Sequence, residues 1–265
     1  MNLIPGYWER KCLMNRLFTK NKLITFVSVL LLLLLWKLAS WLMGSDLILP
    51  SPEKTIATTL SLLIREEFIS AVGYTVLRGL TGFALSLVLA VGLGIWAGTV
   101  PAVHAAIKPV LVTLRSTPVI SFILLALIWF RVEQVPVFIA FLTMFPIVCT
   151  NVIEGIRSLD GDLLEMAEFF RVPRKRIIRE LYIPGIAPFL TSGISTAIGF
   201  GWRAVIIGEV LSQPGLGIGT QMQQAQTYLM VSELIAWTVI AVLISYFFEW
   251  LITQAESRLI QWKAS

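Results

Sequence analysis

The chain has 265 residues, of which 57% are hydrophobic and only 14% charged, well below the roughly 25% charged content of a soluble domain. That composition excludes an ordinary soluble protein and places the chain in a lipid bilayer, as one all-α polytopic domain spanning residues 1–265. The excess of 21 Lys+Arg over 16 Asp+Glu is modest and argues against nucleic acid as a partner; in a membrane chain the position of the charges matters more than their sum.

A crossing helix needs about 20 mainly apolar residues, and six segments qualify, at about 23–43, 76–100, 108–130, 135–156, 188–211 and 232–252. The tail 1–22 carries Arg10, Lys11, Arg16, Lys20 and Lys22 ahead of a Leu-rich run. The length of that run and the five spans after it favour a retained anchor over a cleaved signal peptide. In the loop 44–75, Ser51 before Pro52 is a good helix start, and Ile56, Leu60, Leu63 and Ile64 follow at helical spacing, which predicts an interfacial helix. Gly94 and Gly98 in the second span form a small-xxx-small pair suited to close helix approach. In the third, Arg115 precedes Pro118, which removes a backbone donor and predicts a kink. The fifth holds Trp202, Arg203 and Glu209, with Arg203 in its outer half and Glu209 near its outer edge. The turn QPGLGIG, with Pro214, Gly215, Gly217 and Gly219, then ends that helix and is read as an outer re-entrant or gate loop, with an ordinary connector as the alternative. Arg78 and Arg131 lie close to span ends and are expected to snorkel.

Cys12 and Cys149 stand in different contexts and imply no disulfide framework. One histidine, His104, argues against a metal site or histidine-based catalysis. Basic residues concentrate in the tail and in 157–187, as Arg157, Arg171, Arg174, Lys175, Arg176 and Arg179; this puts both termini and that segment in the cytoplasm.

The segment 157–187 is the least lipid-like part of the chain. Asp162 with Glu165 three residues later predicts a helix start, running to about Arg171. Pro173 opens a second short helix that ends before Pro184, and Pro188 then opens the fifth span. Leu163, Leu164, Ala167, Phe170, Ile177, Ile178 and Leu181 supply an apolar face and the Arg/Lys run a cationic one. Two such helices either rest on anionic lipid or dock a soluble partner and pass its movement to the spans.

The same stretch, LLEMAEFFRVPRKRIIRELYIPGIAP, resembles the EAA loop of permease subunits from bacterial ATP-binding-cassette importers. The motif falls on Glu165, Met166, Ala167, Ile177 and Pro184, with Arg171 where Gly is usual. The blocks LPSPEKTIATTL, TVLRGLTGFALSLVLAVGLGIWAG, LRSTPVISFILLALIWF and GFGWRAVIIGEVLSQPGLGIG resemble the subfamily that moves nitrate, aliphatic sulfonates, taurine, bicarbonate and thiamine precursors. The resemblance implies a type I importer permease fold in the bacterial inner membrane and a homodimer. It further implies two cytoplasmic ATPase subunits and a periplasmic or lipid-anchored substrate-binding protein. The ATPase-coupling residues would then be Glu165, Ala167, Arg171, Ile177 and Pro184. The chain is expected to be no enzyme and to bind no cofactor. It contains no G-x-x-x-x-G-K-[ST] loop, so ATP belongs to a partner.

Charged residues inside spans usually face a bundle interior or water, which makes Arg115, Pro118, Trp202, Arg203 and Glu209 the candidate translocation residues, in competition with static ion pairing. The intramembrane arginines favour an oxyanion or sulfonate. A gradient-driven secondary transporter is the alternative, but it calls for inverted repeats, and none is visible. A membrane enzyme calls for a cluster of His, Asp or Cys, which is missing from the sequence.

Overall fold

The computed structural model describes the backbone of residues 7–259 and the side chains of residues 24–254. The chain ends lie outside the described residues, and with them the expected placement of both termini and the side chain of Cys12. Every described element is a helix. In chain order these are α1 (Tyr7–Met43), α2 (Pro52–Leu63), α3 (Glu66–Thr99), α4 (Pro101–Ser116), α5 (Val119–Trp129), α6 (Val135–Arg157), α7 (Gly161–Phe169), α8 (Arg174–Ile177), α9 (Ile183–Ser212), α10 (Ile218–Thr227) and α11 (Val231–Leu259). Five helical stretches are long and apolar enough to cross a bilayer alone, and α4 with α5 supplies a sixth crossing if the broken pair counts as one span.

That pair corrects the expected third span. Instead of a kinked helix over 108–130, α4 and α5 meet at 99°. The cause is local: Thr117 precedes Pro118 and is extended, with φ −75° and ψ 131°, because the proline ring crowds the helical conformation of the residue before it. Arg115 therefore sits at an elbow in the last turn of α4.

Helix α6 is the centre of the bundle, packed against α3 on one side and α9 on the other. In lipid there is no hydrophobic drive between helices, so contact depends on close backbone approach through small residues. On α3, Gly82, Ser86, Ala90 and Gly94 form a buried stripe, and Gly193, Ala197, Gly201, Ala204 and Gly208 do the same on α9. A methyl at Gly82 would stand 2.6 Å from Ala140 Cβ, and one at Gly94 would stand 2.8 Å from Val152 Cβ. The Gly94/Gly98 pair is thus a packing surface, as its spacing suggests.

Helix α1 behaves differently. Over Ile24–Met43 it is almost wholly exposed, with Ser40 its buried residue, and the side-chain contacts described for it run to the start of α2. There Trp36 Nε1 donates to Pro50 O (3.1 Å), Ser40 Oγ to Leu49 O (2.9 Å), and Lys37 pairs with Glu53 (2.5 Å). The expected helix after Ser51 is α2, with Ser51 Oγ accepting from the Lys54 amide. Its apolar residues Ile56, Leu60, Leu63 and Ile64 lie on the open side.

A second correction concerns the end of the charged segment. No break occurs before Pro184, and Pro188 lies inside a helix. Helix α8 passes through a π-turn at Ile178–Tyr182 directly into α9, giving one 39-residue stretch, Arg174–Ser212. Proline at 184 has no N–H to offer the ladder and its ring opposes the carbonyl four residues back. The wider turn, in which the Ile183 amide donates to Ile178 O, absorbs that mismatch without bending the chain out of helical geometry.

Candidate functional site

At one end of the bundle a polar cluster joins four parts of the fold. Glu209, fully buried near the end of α9, accepts from Arg78 (2.7 Å), from Thr75 Oγ1 (2.9 and 3.0 Å) and from the Gly219 amide (2.9 Å). Arg78 also donates to Leu216 O (2.5 Å) and pairs with Glu133 in the α5–α6 loop. Glu133 in turn accepts from the Gly215 amide (2.8 Å), and Thr75 Oγ1 from the Ile218 amide (2.8 Å). The QPGLGIG turn is therefore wrapped around the Glu209 carboxylate. A Cβ at Gly217, where φ is +157°, would stand 2.6 Å from that carboxylate, and one at Gly219 would stand 2.5 Å from Ile206 O. The turn feeds α10, whose Ile218, Gly219 and Thr220 are buried and whose first-turn amide faces Glu209, as a helix N-terminus favours. Arg78 does not snorkel: it is 5% exposed and is the hub of this cluster.

Two cavities run along α6. The first, of about 490 Å³, is lined by Arg115 and Thr117 at the elbow, by Ile139, Thr143, Pro146, Thr150, Asn151 and Glu154 of α6, and by Thr196 and Phe200 of α9. The second, of about 580 Å³, continues past Thr150 and Glu154 to Arg157 and Ser158, with His104, Lys108 and Arg115 opposite. Along α6 the lining positions 139, 143, 146, 150, 154 and 157 are three or four residues apart, with the C-cap Ser158 following them, so one helical face borders both cavities. From Ile139 to Ser158 that face is about 28 Å long at 1.5 Å per residue, close to the thickness of a bilayer core of roughly 30 Å. Arg115 and Glu154 line both cavities, and neither has an ion-pair partner among the described residues.

Of the candidate translocation residues, Arg115 lines this groove and Pro118 makes the elbow beside it. Arg203 is exposed one turn beyond Phe200, with its guanidinium 5.9 Å from that ring, and has no carboxylate partner among the described residues. Trp202 and Glu209 lie elsewhere. Trp202 is buried against Gly79 and packs at a tilt on Phe248, with ring centroids 5.2 Å apart, and Glu209 is enclosed in the Arg78 cluster. Sequence reading missed Glu154, Asn151 and Thr150, whose signal was the three-and-four spacing of polar residues down the fourth span. It also missed Thr75 and Glu133, for which no local signal existed.

The charged segment is built as follows. Helix α7 starts two residues earlier than expected, with Asp160 rather than Asp162 as the cap: Asp160 accepts from the Asp162 amide (2.9 Å). Glu165 lies exposed on it. Its end is a Schellman closure, with the Val172 amide donating to Ala167 O and the Arg171 amide to Glu168 O, both 2.9 Å. Arg171 takes the left-handed position at φ 52°, where glycine is the usual occupant. Because that conformation costs a non-glycine residue about 1–2 kcal/mol, Arg171→Gly is expected to stabilise the end of α7 by about 1 kcal/mol. Slower hydrogen exchange at the Val172 amide would show it; unchanged or faster exchange would refute it.

A family model described as the binding-protein-dependent transport system inner membrane component matches residues 90–261, well over half of the chain. The chain belongs to this family. It is thus a multi-pass inner-membrane transport permease, a subunit type that works with an ATPase and a substrate-binding protein. Similar proteins include the taurine transport system permease protein of Escherichia coli, 24% identical over 88% of this chain and 86% of that protein. A putative aliphatic sulfonates transport permease protein of Bacillus subtilis is 25% identical over 83% and 80%. A bicarbonate transport system permease protein of Synechocystis is 26% identical over 58% and 55%. The permease shares its helical architecture with the expectation drawn from its sequence, apart from the elbow at Pro118 and the fused α8–α9 helix.

Proposed function

We propose that this permease, as a homodimer of single-domain 1–265 subunits, carries a small anionic or sulfonate-bearing solute along the α6 groove. The solute is delivered by a periplasmic or lipid-anchored binding protein, and two cytoplasmic ATPase subunits supply the energy. The observation that carries the reading is the single face of α6, bearing Thr143, Thr150, Asn151, Glu154 and Arg157, that borders two adjoining cavities over about a bilayer's depth. Across the two cavities Lys108, Arg115 and Arg157 outnumber one carboxylate, Glu154, and this favours an anion by simple Coulomb attraction. The relatives named for taurine, sulfonates and bicarbonate agree with that class. The segment 157–187, with Glu165, Ala167, Arg171, Ile177 and Pro184, faces the cytoplasm with both termini and seats in the ATPase, which alone binds ATP.

The test is reconstitution with the cognate ATPase and binding protein in proteoliposomes. Thr150→Trp, which fills the groove at the point shared by both cavities, is expected to cut ATP-driven uptake by more than about tenfold, in line with the sensitivity of function to small misplacements. Assembly with the ATPase should persist. Uptake at the unmodified rate would overturn the assignment of the groove. Arg203, exposed and unpaired beside Phe200, is assigned to the same route. Because Lys keeps the charge but loses the planar fork that grips two oxygens, Arg203→Lys should raise the apparent KM for the solute. An unchanged KM and substrate preference would remove Arg203 from the route.

A further inference from the structure

A further cavity, larger than either of the two along α6, lies away from the groove. It has a volume of about 680 Å³ and lies between the coupling segment and the bundle, where α3, α6, α7 and the α8–α9 helix converge. Its wall is apolar, made by Ile95, Ile156, Leu164, Ile177, Ile178, Ile183 and Ile186, and it carries two charged side chains, Glu168 of α7 and Arg174 of α8. Thr99 and Tyr182 complete the lining. Ile95, Ile178 and Ile183 are each about half exposed, so the apolar wall runs out onto the lipid-facing surface. Neither Glu168 nor Arg174 forms an ion pair among the described residues. The neighbouring Arg176 is held by Glu180 at 2.9 Å.

We propose that this cavity is a binding site for one membrane phospholipid whose headgroup carries both a phosphate and a primary ammonium, as phosphatidylethanolamine does. Each part of the cavity has a matching part of that molecule. An isoleucine-lined space open to the bilayer suits an acyl chain, which removes apolar surface from the headgroup region. Arg174 offers a planar fork to phosphate oxygens. Glu168 accepts from the ammonium, whose three N–H donors are the feature that a quaternary choline lacks. A wall with one cation and one carboxylate, neither satisfied within the protein, disfavours a purely anionic headgroup, because the carboxylate would face it uncompensated. The site touches α7 and the π-turn entry to α9 at once, so its occupant contacts both the segment that meets the ATPase and the helix that leads away from it. This inference does not depend on which solute is carried.

The test uses the full-length permease purified in detergent, incubated with an equimolar mixture of phosphatidylethanolamine, phosphatidylcholine and phosphatidylglycerol of identical chains, with retained lipid read by native mass spectrometry. The expected result is one retained phosphatidylethanolamine, favoured over phosphatidylcholine by roughly fivefold, as the loss of one charge-assisted hydrogen bond implies. Glu168→Gln should abolish that preference, Arg174→Gln should lower retention of all three lipids, and Ile186→Trp should exclude the chain. Lys175→Gln, outside the lining, should change nothing. Equal retention of the three lipids, or a preference untouched by Glu168→Gln, overturns the proposal. So does a preference for phosphatidylglycerol that falls as much with Lys175→Gln as with Arg174→Gln, since that is surface charge alone.

Discussion

Replacing Arg78 with alanine is expected to destabilise the permease by about 3–5 kcal/mol, the cost of leaving one member of a buried ion pair without its partner. Glu209 has no exposed surface, and its remaining donors, Thr75 Oγ1 and the Gly219 amide, carry no full charge. The same substitution frees Leu216 O and Glu133, so the turn before α10 loses two further anchors. At roughly 2–4 °C per kcal/mol for a chain of this size, the midpoint of thermal unfolding in detergent should fall by about 10 °C. Cys149 is buried in the core, so in a Cys12→Ser background the labelling of Cys149 by a thiol-reactive dye reports the transition directly. The paired replacement Arg78→Met with Glu209→Leu removes both buried charges and should recover part of the loss, the remainder being the cost of the Gly219 amide and Leu216 O left without partners. A single Arg78→Ala variant that unfolds at the normal temperature would show that the cluster does not hold the turn before α10.

The second large effect is functional. Glu165→Ala should reduce transport and binding-protein-dependent ATPase stimulation by at least about tenfold, on the scale of a lost charge-assisted contact with its partner group left behind. The protein should still insert and fold, because Glu165 is exposed and makes no contact that holds α7 together. Beside it α7 presents Leu163, Met166, Phe169 and Phe170 to the outside, and Phe169 is 82% exposed. A patch of that size on a charged segment marks a surface meant to be covered. Phe169→Ala should therefore weaken retention of the ATPase during purification, whereas Glu165→Ala should impair coupling after assembly. Wild-type transport by Glu165→Ala would remove this residue from the coupling role.

Much of the architecture was legible because bilayer length and helical spacing are local signals. Five spans, the Ser51 cap and the Gly94/Gly98 packing face all follow from residues near one another in sequence. Pro118 was read as a kink and proved an elbow; nothing local states whether the two halves continue in one direction, since that depends on how α5 packs against α6. Pro184 was read as a helix end, and the structure instead spreads its mismatch over a π-turn. Arg171 stands where glycine is usual, and its backbone does adopt the left-handed angle that this position demands. The Arg78–Glu209–Glu133 cluster was invisible because its members are separated by 55 to 131 residues. Glu154 lay in plain view within the fourth span, but its meaning depends on an α4 side chain brought to the same groove.

The fused α8–α9 helix has a mechanical consequence. From Arg174, which lines the cavity beside α7, to Glu209, in the Arg78 cluster, runs a single rod of about 52 Å at 1.5 Å per residue. A rod of that length converts small rotations at one end into large displacements at the other: a tilt of about 5° pivoting near the π-turn moves the Glu209 end by about 3.5–4 Å. Such a shift exceeds the span of any hydrogen bond in the Arg78–Glu209 cluster. On the proposed coupling role of residues 157–187, a push on that segment would arrive at the far end as a choice between a closed and a broken Arg78–Glu209 contact.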